Sequence, residues 1–130
     1  MEKTMTYKFE SVMAWQKAHA FVLEVYRCTK NYPDDEKYGL TSQFRRAAIS
    51  IEANIAEDYK KLSKNDKLRF FNISQGSIEE FRDYIILSRD LGYVNEDQFM
   101  RLYNALESSS KMLMLYCEGI INNKGIIDNI

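Results

Sequence analysis

The chain has 130 residues, a formal net charge of −1, 45% hydrophobic and 28% charged residues, the balance of one ordinary globular domain. A net charge so near zero argues against a globally basic nucleic-acid binder, and one proline with five glycines argues against a fold of many short strands and turns. No apolar run approaches the ~20 residues that span a bilayer, and the charged start of the chain lacks a signal-peptide core, so a cytoplasmic protein is expected.

The predicted domain organisation is a tail over residues 1–10, a bundle over 11–121 with helices at about 11–31, 38–60, 64–91 and 95–121, and a tail over 122–130. In the first helix Val12, Trp15, His19, Val22 and Tyr26 recur at steps of three and four, and Ala14, Ala18, Phe21, Val25 and Cys28 form a second row. Two adjacent rows make a wide apolar face. Ser11 is the expected N-cap, and Pro33 disfavours helix at the residue before it. The second helix carries a stripe of Leu40, Phe44, Ala47, Ile51 and Ile55 among the small residues Ala48, Ser50, Ala53 and Ala56. The third opens at Ser63 with Asp66 three residues on, a capping-box variant. It carries Phe70, Phe71, Ile78, Phe81, Ile85 and Leu91, and stops at Gly92 as C′ residue. The fourth opens at Asn95 with Gln98 in the capping-box position, followed by Phe99, Leu102, Leu106, Leu113 and Ile120. Asp97–Arg101 and Glu107–Lys111 are i,i+4 pairs in the favourable order. Short connections between four such helices predict an all-α, antiparallel up-down-up-down four-helix bundle.

Folding helices two and three back about Leu62–Ser63 sets Ser50 opposite Gly76, Ala47, Ala48 and Ala53 near Gly76 and Ser77, Arg45 and Arg46 near Glu79 and Glu80, and Glu57 near Arg69. Mid-helix Gly76 costs about 1 kcal/mol against alanine, so a close backbone approach is expected there. Arg45, Arg46, Asn54, Glu57, Gly76, Glu79 and Glu80 then read as a structural polar seam, since buried polar groups need partners.

The sequence offers little catalysis, and the expectation is a protein that is not an enzyme. His19 is the only histidine; on an apolar row it reads as a hydrogen-bonded core or interface residue. One histidine cannot supply the paired Glu-x-x-His motifs of a bundle di-iron site, and no phosphate-binding glycine loop is present. No cofactor, metal or small-molecule substrate is expected. Cys28 and Cys117 lie in apolar helical stretches without a neighbouring Cys or His and read as buried thiols of a reducing compartment.

One charge feature stands out. Lys60, Lys61, Lys64, Lys67 and Arg69 cluster around the second turn against Asp66 alone, and the predicted topology sets this turn opposite Asp34, Asp35, Glu36, Asp90, Glu96 and Asp97. A basic end with Tyr59 and Phe70 nearby suits phosphates and a stacked base; the plainer reading is a solvated lysine-rich turn. Nine Tyr and seven Phe exceed what one small bundle core uses, and surplus aromatic surface marks an interface, so a homo-oligomer is expected.

Trp15-Gln16-Lys17-Ala18, Tyr38-Gly39-Leu40, Arg45-Arg46-Ala47-Ala48-Ile49-Ser50-Ile51, Asn54-Ile55-Ala56-Glu57, Arg69-Phe70, Gly76-Ser77 and Leu91-Gly92-Tyr93 together resemble the four-helix-bundle family encoded by intervening sequences of bacterial 23S rRNA genes, also called the S23 ribosomal protein family. The resemblance covers about Phe9 to Glu118, most specifically Arg45 to Glu57. Glu52 and Asp58 depart from the family's proline and glycine, which favours a more regular second helix. The resemblance implies a ring, with a pentamer as the expected assembly, and kinship with the accessory variability determinant of diversity-generating retroelements, hence nucleic acid or a reverse-transcriptase-like protein as partner. The function expected is an oligomeric accessory protein binding RNA through Lys60, Lys61, Lys64, Lys67 and Arg69. The alternative is a protein–protein interaction module without nucleic acid.

Overall fold

The structure is a computed structural model, and it describes residue 9, residues 12–60 and residues 63–122, apart from the Phe70 side chain. Four helices appear in order: α1 (Met13–Thr29), α2 (Leu40–Asp58), α3 (Lys64–Asp90) and α4 (Glu96–Ile121), with a 3-10 turn at Asp34–Glu36 before α2. α1 packs on α2 and α4, and α3 packs on α2 and α4. The direction of each pairing follows from side-chain contacts. His19 meets Glu52 while Thr29 meets Arg45, so α1 and α2 run antiparallel. Lys64 meets Ile121 while Arg82 meets Glu107, which does the same for α3 and α4. This is the up-down-up-down bundle expected from the short connections.

The core is an aromatic cluster filled out by aliphatics. Phe81 of α3 lies edge-on to Phe21 of α1 at 4.7 Å and tilted against Phe44 of α2 at 5.6 Å, and all three are fully buried. Ile51, Ile78, Ile85, Leu102, Leu106 and Leu113 complete it. Each such side chain stabilises the fold by roughly 1.5–3 kcal/mol on transfer from water. The expected stripes of α2 and α4 are buried throughout. In α1 the second row, Ala14 to Cys28, is buried; of the first row Val12 and Val22 are buried in the core, whereas Trp15 and His19 are only half-buried and Tyr26 is exposed, because those larger side chains lie at the edge of the core, His19 and Tyr26 beside α2.

The helix ends carry the punctuation read from the sequence, with shifts of one or two residues of the usual size. Ser11 lies outside the described residues, and α1 starts behind Val12, which makes no side-chain cap. α1 ends at Thr29, four residues before Pro33, and Tyr32 turns inward to donate to Ser88 Oγ at 2.7 Å. Burial pushes the Tyr32 hydroxyl up to about 12. α2 starts at Leu40, with Tyr38 exposed, because Glu36 Oε1 accepts the Leu40 N–H at 3.0 Å and so stands in for an N-cap. Ser63 Oγ accepts from Asp66 N, and Asn95 and Gln98 form a reciprocal capping box. Gly92 adopts φ +79°. Tyr93 N–H reaches Ser88 O and Gly92 N–H reaches Arg89 O, the paired bonds of a Schellman motif.

Leu91 is a correction. It is about half exposed, because the buried stripe of α3 continues from Ile85 to Ser88 and the chain turns away at Gly92. The two i,i+4 pairs expected in α4 are also superseded: Arg101 reaches Glu24 of α1 at 3.4 Å and Glu107 pairs with Arg82 of α3. Crosslinks between helices replace pairs along one helix. No helix among the described residues is long and apolar enough to cross a membrane.

Candidate functional site

The turn between α2 and α3 collects the basic residues. α2 gives way to exposed Lys60 just past its C-cap Tyr59, Ser63 caps α3, and its first turns present exposed Lys64 and Arg69 and half-buried Lys67. Lys64 Nζ donates to Ile121 O at 3.0 Å. That bond brings the turn to the C-terminus of α4, as the topology requires, and sets a cation on the negative end of a helix dipole. Lys61 and the Phe70 ring lie outside the described residues, and Tyr59 is half-buried against the core. Arg69 and Tyr59 hold further contacts within the molecule. The end is therefore cationic, and part of its charge is already engaged.

At the other end Tyr93 donates to Glu36 Oε2 at 2.7 Å and Tyr32 stacks at a tilt on Tyr93 at 5.1 Å. These contacts tie the α1–α2 connection to the α3–α4 connection, and the acidic residues 34–36, 90, 96 and 97 gather around them. The Leu40 N–H, and after it the Tyr93 hydroxyl, hold the Glu36 carboxyl below its usual range. The two ends, separated by the 27 residues of α3 or about 40 Å, carry opposite charge.

The polar seam is only partly as expected. Arg46, Ala47, Ser50, Ser77 and Glu80 do line one groove between α2 and α3, and Asn54 donates to Ser50 at 3.1 Å. Arg45 instead turns to α1, donating to Thr29 Oγ1 at 2.8 Å and lying over the Tyr26 ring at 4.4 Å. Glu79 turns to Arg82 at 3.5 Å on its own helix. Gly76 is exposed, and a Cβ there would meet nothing within 4 Å, so the close approach falls at Ser77, one residue on. A shift of one residue rotates the helix face by about 100°, which carries Gly76 out to solvent while Ser77 lines the groove.

His19 is hydrogen-bonded, as expected, but it lies at the α1–α2 seam with its side chain 43% exposed, not in the core. Nδ1–H donates to Glu52 Oε1 at 3.0 Å, and the ring stacks parallel on Trp15 at 4.8 Å, which Phe9 meets edge-on. Among the described residues no group of three or more His, Cys, Asp and Glu comes together to hold a metal ion. Cys28 and Cys117 are free and buried; burial and the adjacent Glu24 carboxylate push the Cys28 thiol up to about 11, away from the thiolate form that nucleophilic chemistry needs.

Sequence reasoning missed a buried polar pair. Asp58 is 2% exposed, and its Oδ2 accepts from Tyr116 at 3.0 Å beside a cavity of about 10 Å³ lined by Asn54, Phe71, Ser74 and Leu113. The signal was present: Ile51, Ile55 and Asp58 follow the steps of four and three that mark a buried stripe.

A family model described as 23S rRNA-intervening sequence protein matches residues 10–115. Among solved structures the chain is similar to the 1.70 Å crystal structure of a protein with unknown function from the S23 ribosomal protein family of Bacteroides thetaiotaomicron. The two are 21% identical with a TM-score of 0.74, over 86% of this chain and 99% of that one. At that identity the likeness establishes the four-helix fold. No curated protein matches the chain.

Proposed function

This chain belongs to the 23S rRNA-intervening sequence protein family, and from that premise we propose that it is a self-associating accessory protein, without enzymatic activity, that binds RNA through the α2–α3 end of the bundle. The observation that carries the reading is the separation of charge: Lys60, Lys64, Lys67 and Arg69 gather at one end of a chain whose net charge is −1, and phosphates respond to such local fields. Self-association is supported by Leu23, Ile49, Ile73, Met114 and Leu115, each 40–51% exposed on a helix surface, aliphatic side chains that an interface between copies would cover. The ring that the family resemblance implies is the assembly proposed.

Fluorescence anisotropy with a labelled structured fragment of 23S rRNA, at low and near-physiological salt, tests the RNA reading. Affinity should fall steeply with salt, and reversing Lys60, Lys61, Lys64 and Lys67 to Glu should abolish binding at near-physiological salt. Binding that ignores salt, or survives the reversal, overturns it. The same exposed aliphatics favour a second reading, docking on a partner protein, which predicts indifference to RNA at every salt concentration. Light scattering at micromolar concentration should return a multiple of the 15.3 kDa chain mass; a monomer mass defeats the ring.

A further inference from the structure

The groove between α2 and α3 has features that a structural seam leaves unexplained. It is open to solvent and offers about 170 Å³, roughly the space of six water molecules and below the usual range for drug-sized ligands. Its floor is made of small residues, Ala47 and Ser77 buried and Ser50 half-buried, while exposed Arg46 and Glu80 form facing rims. Arg46 and Glu80 form no ion pair with each other among the described residues; Glu80 has only a long bond from the Tyr84 hydroxyl, at 3.4 Å. The Tyr84 ring closes the acid-end side of the groove and is fixed in place by the buried Phe44 ring, edge-on at 5.8 Å. A guanidinium and a carboxylate therefore face one small polar space beside a held aromatic wall.

We propose that this groove takes the base of one unpaired guanosine of RNA. Guanine presents O6 and N7 as adjacent acceptors, the pattern an arginine reads, and next to them the N1–H and N2–H donors that suit a carboxylate. Adenine sets the acceptor N1 where a carboxylate would stand. Uracil has one imino donor between two carbonyls. Cytosine has adjacent O2 and N3 acceptors but only its N4 amine as donor, with no ring N–H beside it for a carboxylate, and only one ring with which to meet Tyr84. Single-stranded RNA is commonly read in this way, by bonds to a splayed base together with an aromatic side chain. The inference rests on the RNA reading of the basic end: from Ser50 to Lys60 along α2 is ten residues, about 15 Å, a span of a few nucleotides. The groove then supplies base preference and the lysines supply phosphate affinity.

The test is an amide NMR titration of the full chain with guanosine, adenosine, cytidine and uridine 5′-monophosphates. Anisotropy with single-stranded pentanucleotides that differ by one G or A accompanies it. Guanosine monophosphate should shift the Ser77 and Tyr84 amides saturably while the other three do not, and the G pentanucleotide should bind at least tenfold more tightly than the A one. Glu80→Gln and Arg46→Met, both at exposed rim positions and checked for native helicity by circular dichroism, should reduce that ratio below twofold. The four-lysine reversal should weaken both oligonucleotides and leave the ratio intact. Equal shifts from all four nucleotides, or a G preference that survives both rim substitutions, overturns the groove as a guanine site. RNA binding without base preference and without groove shifts also overturns it while leaving the basic end in place. Guanosine monophosphate seated in the groove with no oligonucleotide bound upholds the pocket and sinks the RNA reading.

Discussion

At the residue scale, polar groups in this bundle are decided by what lies one helix away. Asp58 and Glu52 both lie on α2 but on different faces, so Asp58 is buried against Tyr116 of α4 and Glu52 meets the half-exposed His19 of α1. Tyr116→Phe removes the donor to Asp58 Oδ2 and should cost about 1–3 kcal/mol, the penalty for a buried acceptor losing a partner. Urea unfolding would show it as a lower midpoint at unchanged m-value. Alkali acts through two other buried groups. Cys28 is raised from 9.0 to about 11 and Tyr32 from 10.0 to about 12, burial being the main cause in both. For an acid whose folded pKa lies above the unfolded one, the folded state binds more protons between the two values. Stability is then complete below the unfolded pKa and is lost as pH rises toward the folded one. Stability should therefore fall between about pH 9 and 12, and the combined Cys28→Ala, Tyr32→Phe variant should show a shallower decline across that window than the native chain. An equal slope in both proteins would refute the assignment.

At the element scale, the two glycines of α3 and its end make a matched pair. Gly92 sits at φ +79° in a Schellman motif, where a side chain is strained, so Gly92→Ala should destabilise by about 1 kcal/mol. Gly76 sits in mid-helix with open space where its Cβ would be, so Gly76→Ala should stabilise by about 0.5–1 kcal/mol through helix propensity and lower unfolded-state entropy. Thermal unfolding of the two variants should move Tm in opposite directions; a loss at both positions would restore the close-approach reading of Gly76. Helix existence, type and caps were legible in the sequence because they depend on local chemistry: Ser63, Gly92 and the Asn95–Gln98 box each act within a few residues of chain. Partners across helices were not. Arg45 chose Thr29 and Tyr26 over Glu79, and Arg101 chose Glu24 over Asp97, because rotation about a helix axis by one residue redirects a side chain onto a different neighbour.

At the scale of the whole molecule, topology converts a near-neutral chain into a rod with unlike ends. The turn carrying Lys60 and Lys64 joins the α4 C-terminus, and the acidic connections meet through Glu36, Tyr32 and Tyr93. If RNA engages the basic end, the salt slope of binding should lose about one unit for each phosphate-contacting lysine removed. Single reversals at Lys60 and Lys67, which leave the Lys64 bond to Ile121 intact, would measure it; an unchanged slope places the contacts elsewhere. The amino-acid sequence by itself determined the class, the four helices, the buried stripes of α2 and α4, the caps that open α3 and α4, and the family, because periodicity and capping are local and a family pattern is carried residue by residue. Only the tertiary structure decided that His19 stands half-exposed on Trp15, that Asp58 is buried on Tyr116, and that Arg46 and Glu80 face one groove while Arg45 and Glu79 leave it. Those outcomes depend on the rotation and register of one helix against the next, which packing of the whole core fixes and no single stretch of sequence contains.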